Sequence, residues 1–456
     1  MKGRNRLMKD LTVGSPGKLI IQFAIPIFIG NVFQLFYNLV DTRIVGSTLG
    51  NEALAAVGAT STINNLIIGF LIGLTNGFAI WVARDFGAHQ EDEMRKEMAG
   101  TLILGLAISF ILTVLSVCFL PYLLHLLNMP ESLMENGMSY IRVILIGMTA
   151  AMLYNIGASV LRAIGDTVAP LGFLIASTLM NIGLDYFFIL SLGMGVEGAA
   201  YATVIAQSSA AFLCFIYIWK RYPMMHLHKQ DFILERSRIK ALISSGLSMG
   251  LMHSLVSLGT VVLQGAINTF GTNTIVAHTG ARKITEIFML PFSVMGMTMA
   301  TYCSQNLGAG KIGRIKQGIR SVTLATWAWC VLVVIASYTI SPYLVKLVTA
   351  TKIKEVVDTA TLYLRIDTLF YMVTAVICIF RNALQGLGDH KTPIISSGIE
   401  LIGKVMVVVL LTPHLQYMGI ILAEPIVWIL MVIPLIIRVL TMPTLKNNPE
   451  NIYTEI

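Results

Sequence analysis

Two stretches of this 456-residue chain repeat one pattern half a chain apart: LRAIGDTVAP, residues 161–170, and LQGLGDHKTP, residues 384–393. Two further pairs share this spacing: DFGAHQEDEMRKEM from Asp85 with NLGAGKIGRIKQGI from Asn306, and YIRV from Tyr140 with YLRI from Tyr363. The members of each pair lie 221 to 223 residues apart. The chain is therefore a tandem duplication, which is typical of secondary transporters built from internal repeats.

The composition indicates that the chain lies in a membrane. Hydrophobic residues make up 55% of the chain and charged residues only 12%, whereas soluble proteins carry about 25% charged residues. Apolar stretches of about 20 residues recur along the whole length, which predicts an all-α polytopic membrane protein. We predict twelve transmembrane helices, at residues 17–42, 53–82, 97–124, 133–160, 168–192, 195–219, 237–267, 274–301, 317–345, 357–383, 392–412 and 417–441.

The duplication predicts two lobes of six helices each. Six spans per copy make both copies enter the bilayer in the same sense, so we expect pseudo-two-fold symmetry about an axis along the membrane normal. The predicted parts are an N-terminal lobe at 1–219, a cytoplasmic linker at 220–240 and a C-terminal lobe at 241–456. The chain has no G-x-x-x-x-G-K-[ST] loop for a nucleotide. We therefore expect no enzyme activity and no cofactor, with energy supplied by an ion gradient or a partner subunit.

Charge placement predicts the orientation. Lys and Arg concentrate in the N-terminal segment, in the 220–240 stretch and in the loop between spans 8 and 9, while alternate loops are nearly free of them. The positive-inside rule then assigns both termini to the cytoplasm. The exception is the loop between spans 9 and 10, with Lys346, Lys352 and Lys354. The net charge of +8 thus reflects membrane topology and not nucleic-acid binding. The five Cys residues show no CxxC spacing and indicate neither a metal site nor a disulfide framework.

Two aspartates in the predicted spans are the strongest functional candidates. Asp41 closes a polar stripe on span 1 that also contains Gln34, Tyr37 and Asn38. Asp185 lies in span 5, four residues after Asn181, and Thr203 and Gln207 form a similar pair in span 6. Hydrogen bonding between packed helices is an equally good interpretation of the Asn and Thr residues. An ionised carboxylate in hydrocarbon, by contrast, needs a partner or a proton.

These residue types suit two kinds of coupling ion. A desolvated Asp can gain and lose a proton near neutral pH, and two carboxylates with Asn and Thr oxygens also suit Na⁺. The residues of this possible Na⁺ site are Asp41, Asn181, Asp185 and Thr203. Pro26 shares span 1 with Asp41, and either couples protonation to bending or forms a static kink.

The chain resembles the multidrug and toxic compound extrusion (MATE) transporters. The resemblance rests on the duplication, the twelve predicted spans, NEALAAVGAT from Asn51 and the VARDFGAHQ loop. An Asp on span 1 with Asn-x-x-x-Asp on span 5 is similar to the prokaryotic DinF-like branch. That resemblance implies a V-shaped MATE fold and an ion-coupling site of Asp41, Asn181, Asp185 and Thr203. It also implies further cavity-lining residues at Gln34, Tyr37, Asn38 and Asn155, and a bending proline at Pro26; Gln207 joins the predicted cavity.

The second half departs from the NorM-like branch, whose members carry a Glu in span 7 and an Asp in span 10. Here His253 stands roughly where that Glu would fall, and YMVTAVICIFRNALQG in span 10 has no acid. His253 and Glu286 are therefore secondary candidates. Helical spacing predicts ion pairs between Arg282 and Glu286 and between Glu400 and Lys404. Asp367, near the start of span 10, is expected to be solvated.

The sequence thus predicts a monomeric, multi-pass protein of the cell membrane that exports organic cations and amphipathic toxic compounds in exchange for H⁺ or Na⁺. The expected partners are these small molecules, the coupling ion and membrane lipid, with no nucleic acid. A lipid or lipid-linked precursor flippase of the same superfamily is the alternative within the fold. A passive channel is the alternative from another class, and transport without any gradient would identify it.

Overall fold

The computed structural model describes residues 9–126 and 129–446. This part of the chain is helical, with the following α-helices: α1 (Pro16–Leu49), α2 (Asn51–Gly87), α3 (Glu91–Cys118), α4 (Leu120–Leu126), α5 (Glu131–Ile146), α6 (Met148–Ala163), α7 (Val168–Tyr186), α8 (Val196–Arg221), α9 (Arg236–Ile267), α10 (Thr272–Gly308), α11 (Ile312–Thr339), α12 (Ser341–Thr349), α13 (Lys354–Leu369), α14 (Tyr371–Gly386), α15 (Lys391–Leu415), α16 (Tyr417–Thr441) and α17 (Pro443–Lys446). A π-helical turn, Phe187–Ser191, extends α7, and two short 3₁₀ turns lie between α8 and α9.

The spans agree with the predicted number when two bent pairs are each counted as one. Within the described residues, ten helices are long and apolar enough to cross a membrane, and the number rises to twelve with these pairs. Predicted spans 4 and 10 each correspond to a pair of helices separated by a bend. The chain bends by 46° between α5 and α6 and by 53° between α13 and α14. The first bend falls at Gly147, where an added Cβ would lie 2.2 Å from Val204 Cγ2.

The repeated stretch that reveals the duplication forms the same turn twice. Gly165 and Gly388 have φ angles of 90° and 86°, a left-handed conformation that glycine adopts without the penalty of a Cβ. The following aspartate lies two residues before the next helix in both copies. Asp166 Oδ1 accepts hydrogen bonds from the backbone N–H groups of residues 168 and 169, and Asp389 Oδ1 accepts them from those of residues 391 and 392. Each aspartate thereby satisfies N–H groups that a helix start leaves unpaired.

The described helices form two compact units. Unit 1 contains Gln22–Gly250 together with the segment that ends at Asp10, and unit 2 contains Leu11–Ile21 and the chain from Leu251 onward. The first residues of α1 therefore belong to unit 2, and the first residues of α9 belong to unit 1. The 220–240 stretch also belongs to unit 1.

The helices expose apolar side chains on their outer faces. Phe110, Phe212 and Leu440 are each about two-thirds exposed, although water would disfavour so many large apolar groups on a surface. Small residues such as Ala199, Ala200 and Ala202 lie buried within unit 1, where they allow close helix packing. The chain is therefore a multi-pass membrane protein.

Candidate functional site

The centre of the candidate site is a pair of carboxyl groups in unit 1. Asp41 lies on α1 and Asp185 on α7, and the two side chains lie close enough to interact through a shared hydrogen bond. Asp185 is fully buried, with 0% of its surface exposed, and Asp41 is half-buried. One oxygen of each carboxyl group, Oδ1, has no hydrogen-bond partner among the described residues. The pair therefore has unused capacity to hold a proton or a cation.

Asn181 connects the acid pair to its neighbours. It lies one helical turn before Asp185 on α7 and is 2% exposed. Its amide satisfies its hydrogen bonds when the nitrogen donates to Asp185 Oδ2 and to the hydroxyl of Tyr37, both at 3.1 Å. The amide oxygen then accepts from the backbone N–H of Thr203 at 3.0 Å. The opposite orientation would set the amide oxygen against the carboxylate, placing two acceptors face to face.

Two tyrosines and a threonine complete this group. Tyr37 lies on α1 one turn before Asp41, and its hydroxyl also interacts with the Thr203 side chain. The Thr203 hydroxyl donates to the carbonyl of Ala199 at 3.1 Å. Tyr140 on α5 is 8% exposed and lies within electrostatic range of both acids. Sequence reasoning missed Tyr140 as a site residue, although YIRV had marked it as part of the duplication.

The remaining candidates of the first half lie on the same helices or on α6. Gln34 and Asn38 are exposed along α1, and Gln207 is half-buried on α8, one turn after Thr203. The Asn155 amide on α6 donates to the carbonyl of Ala151 at 2.8 Å, so that it is held by its own helix. Pro26 lies inside α1, which is one helix from Pro16 to Leu49.

The donor set limits the ions that could bind. Among the described residues, no group of three or more His, Cys, Asp or Glu side chains could hold a metal ion. A Na⁺ ion at Asp41 and Asp185 would therefore also need the oxygens of Asn181 and Thr203, which are suitable hard ligands. In the orientation above, however, Asn181 turns a donor towards Asp185. Binding of Na⁺ by all four residues would require this amide to rotate.

Unit 2 contains a different arrangement, a buried network of ion pairs. Arg282 Nη1 on α10 donates to Glu424 Oε2 on α16 at 2.8 Å. Lys404 Nζ on α15 lies 3.5 Å from Glu424 Oε1 and 3.0 Å from Glu400 Oε1. Arg381 on α14 extends the network, with Nη1 lying 3.7 Å from Glu400 Oε2. The pair between Glu400 and Lys404 confirms the helical spacing prediction.

Two predictions for this half were wrong. Arg282 binds Glu424, while Glu286 is exposed and has no ion pair among the described residues. Asp367 is not solvated, because it is 0% exposed and accepts a hydrogen bond from the Tyr371 hydroxyl at 3.1 Å. This carboxyl group lies in the last turn of α13, within the interior of unit 2.

The other candidate of this half, His253, is half-buried on α9. Its side chain lies within electrostatic range of Arg381. Sequence reasoning missed Glu424 altogether, because its partners stand on other helices and no spacing within α16 marks it.

Comparisons with known proteins match both halves of the chain. The sequence profile of the MatE family matches residues 26–187 and again residues 248–410, once in each copy of the duplication. The chain is 28% identical over 305 residues to the probable multidrug resistance protein YoeA of Bacillus subtilis (strain 168), covering 65% of this chain and 66% of that protein. It is 21% identical over 378 residues to the multidrug export protein MepA of Staphylococcus aureus (strain MSSA476), covering 82% of each. The outward-facing structure of a multidrug resistance MATE family transporter of the MOP superfamily superposes with a TM-score of 0.86 and 25% identity, covering 98% of this chain and 99% of that one.

Proposed function

The chain belongs to the MatE family, and from this premise we propose that it is a secondary active antiporter that exports organic cations and amphipathic toxic compounds in exchange for H⁺ or Na⁺. Its relatives are named multidrug resistance and multidrug export proteins, which supports efflux of small molecules. The proposal includes alternating access, location in the cell membrane with both termini in the cytoplasm, and action as a monomer. Transport itself requires no cofactor.

The observation that carries the proposal is the contact between Asp41 and Asp185. Two ionised carboxylates in contact repel each other, so the pair is stable only when it holds a proton or a cation. Loss of that ion exposes a negative charge inside unit 1, and a cationic substrate can compensate it. The coupling ion and the substrate then neutralise the same negative charge in turn, and such alternation is the requirement for exchange.

The surroundings of the pair support a proton over Na⁺. Asn181 directs its amide N–H towards Asp185 and Tyr37, so this side of the pair is already occupied by a donor. A proton shared between the two carboxyl groups needs no further ligand, whereas Na⁺ takes several oxygens. Tyr37, Gln34 and Asn38 on α1 present an aromatic face and polar groups that suit an organic cation.

The test is drug efflux from proteoliposomes under a proton gradient and, separately, under a Na⁺ gradient. Asp41→Asn and Asp185→Asn should each abolish gradient-driven efflux, because the single carboxyl group that remains cannot exchange an ion for substrate as the pair does. His253→Ala, a change in unit 2, should leave most of the efflux. Each variant is compared at equal reconstituted amount with the same helical content.

The double variant sharpens this test. Since either substitution already breaks the pair, Asp41→Asn/Asp185→Asn should be little worse than the single variants. Efflux at the normal rate in Asp41→Asn would remove the acid pair from the mechanism. Loss of efflux in His253→Ala with normal efflux in Asp185→Asn would assign ion coupling to unit 2.

A further inference from the structure

The two copies of the loop and helix that begin DFGAHQ and NLGAGK have diverged in charge. In the first copy, the start of α3 mixes cations with acids: Glu91, Asp92, Glu93, Arg95, Lys96 and Glu97. In the second copy, the charged residues from the loop into the third turn of α11 are all cationic: Lys311, Arg314, Lys316 and Arg320. No Asp or Glu occurs anywhere in α11. The duplication therefore provides an internal comparison between a neutralised helix start and a purely basic one.

The cations of the first copy all have acidic partners within unit 1. Arg95 pairs with Asp92, and Lys96 Nζ lies 2.7 Å from Glu93 Oε1. Arg238, at the start of α9, pairs with Glu93. Each cation at the start of α3 therefore already has an anion beside it.

Two cations of the second copy have a structural role in unit 2. Lys311 Nζ donates to the carbonyl of Thr12 at 3.0 Å, and Arg314 Nη1 donates to the carbonyl of Gly14 at 2.6 Å. They hold the segment that precedes α1 against the start of α11. Lys316 and Arg320 lie one turn apart on α11, are exposed and have no ion pair among the described residues.

A third exposed cation comes from α1. The first turn of α1 packs on α11, since a Cβ on Gly17 would lie 3.6 Å from the Cβ of Ser321. The next residue, Lys18, is exposed and also lacks an ion pair within the described part of the chain. Lys18, Lys316 and Arg320 together form what we name the α11 cation cluster.

Apolar surface continues directly from this cluster. Leu324 and Trp327 follow Arg320 by four and seven residues on the same face of α11, and they are 54% and 38% exposed. Ile21, one turn after Lys18 on α1, is 45% exposed. Cations at the membrane surface followed by exposed apolar side chains match the two parts of a phospholipid.

We propose that the α11 cation cluster binds the headgroup of an anionic phospholipid, with the acyl chains lying along Leu324 and Trp327. A lipid phosphate would accept hydrogen bonds from the Arg320 guanidinium, and the ammonium groups of the two lysines would attract its negative charge. The positive-inside rule alone does not account for the cluster. It explains why Lys and Arg occur on the cytoplasmic surface, but it does not explain why Asp and Glu are missing beside them. The first copy, for which the duplication predicts the same side of the membrane, neutralises its cations.

The experiment compares phosphatidylglycerol retention by two matched triple variants. The test variant is Lys18→Gln/Lys316→Gln/Arg320→Gln. The control variant, Lys346→Gln/Lys352→Gln/Lys354→Gln, removes the same charge from exposed lysines elsewhere in unit 2. Each protein is equilibrated in phosphatidylcholine nanodiscs containing phosphatidylglycerol, released, and examined by native mass spectrometry for bound lipid. Inorganic phosphate is added in a parallel arm.

The test variant should lose at least about tenfold in phosphatidylglycerol retention, since each cation near an anionic lipid contributes roughly a factor of five. The control variant should bind as the wild type does, and inorganic phosphate should displace no lipid. Normal retention in the test variant, or equal loss in both variants, would overturn the proposal. Displacement by phosphate would show a free-anion site instead. If the triple variant does not fold, Arg320→Glu should lose the lipid and Arg320→Lys should keep it, and equal binding by these two contradicts the site.

Discussion

At the scale of single residues, one glycine in each copy reverses the chain between two transmembrane segments. Gly165 and Gly388 share a positive φ, but their surroundings differ. A Cβ on Gly165 would lie 2.1 Å from the carbonyl oxygen of Lys9, whereas no atom lies within 4 Å of such a Cβ on Gly388. The N–H of Lys9 also donates to the Gly165 carbonyl at 3.1 Å. A side chain at Gly388 would therefore meet only conformational strain, whereas a side chain at Gly165 would also clash with the backbone.

We predict that Gly165→Ala destabilises the protein more than Gly388→Ala. A left-handed conformation costs an alanine about 1–2 kcal/mol, and this cost applies at both positions. At Gly165 the methyl group must also displace the Lys9 backbone, which cannot move as freely as a side chain. Thermal unfolding in detergent, followed by circular dichroism, should show a lower Tm for Gly165→Ala. Equal Tm values would mean that the Lys9 backbone moves away from the added methyl group without a loss of stability.

Residue spacing predicted much of the unit 1 site. The stripe on α1 and the Asn-x-x-x-Asp of α7 each occupy one helix face. The resemblance to MATE transporters, and not the spacing, implied that these two faces form one site. The sequence could not give the amide orientation of Asn181, because this depends on the backbone N–H of Thr203 on another helix. Tyr140 was missed for the same reason, since it lies on α5 and approaches the two acids only through the packing of α5 against other helices.

At the scale of helices, α10, α14, α15 and α16 each contribute charges to one buried network in unit 2. Periodicity could predict its intrahelical pair, Glu400 with Lys404. It could not predict Arg282 with Glu424, because these residues are 142 positions apart. The i,i+4 rule instead favoured Glu286, which is exposed. The burial of Asp367 likewise depends on packing in unit 2, which its position in the sequence does not reveal.

We predict that Glu424→Gln strongly destabilises unit 2. Glu424 is 6% exposed and contacts both Arg282 and Lys404, so its neutralisation leaves two cations without their shared partner. Removing one member of a buried ion pair typically costs about 3–5 kcal/mol. Glu286→Gln, on the same helix as Arg282 but exposed, should change stability little. The comparison is made by thermal unfolding of both variants in the same detergent.

Adding Lys404→Met provides the control for this interpretation. If repulsion between uncompensated cations causes the loss, Lys404→Met should recover part of the stability in the Glu424→Gln background while destabilising the wild type. Additive losses in the double variant would instead indicate that packing around Glu424 matters more than its charge.

At the scale of the whole molecule, duplication explains the shared turns and bends but not the chemistry. The two copies retain the glycine turn, the aspartate cap and the broken span at equivalent positions. Their interiors have diverged: unit 1 keeps two acids close together without a cation partner among the described residues, whereas unit 2 pairs Glu400 and Glu424 with arginines and a lysine. Unlike the Glu400–Glu424 network, the Asp41–Asp185 pair can change its charge by gaining or losing one small ion without leaving a cation unpaired.

This asymmetry leads to a prediction about linkage between the coupling ion and the substrate. If both bind the Asp41–Asp185 pair, each must weaken the other's affinity by the same factor. A protonated pair carries less negative charge and attracts an organic cation more weakly. Substrate affinity should therefore fall as the pH is lowered through the titration of the pair. Binding of substrate in weak buffer should correspondingly release protons.

The measurement is the Kd of an organic cation in nanodiscs across a pH series, with and without Na⁺. The wild type should bind more weakly at low pH, and Asp41→Asn/Asp185→Asn should bind weakly with no pH dependence because no titrating pair remains. Weakening by Na⁺ at constant high pH would make Na⁺ the coupling ion, and the Asn181 amide would then have to rotate. A wild-type affinity that responds to neither pH nor Na⁺ would contradict competition at this pair, since a site that holds ion and substrate in turn cannot bind one independently of the other.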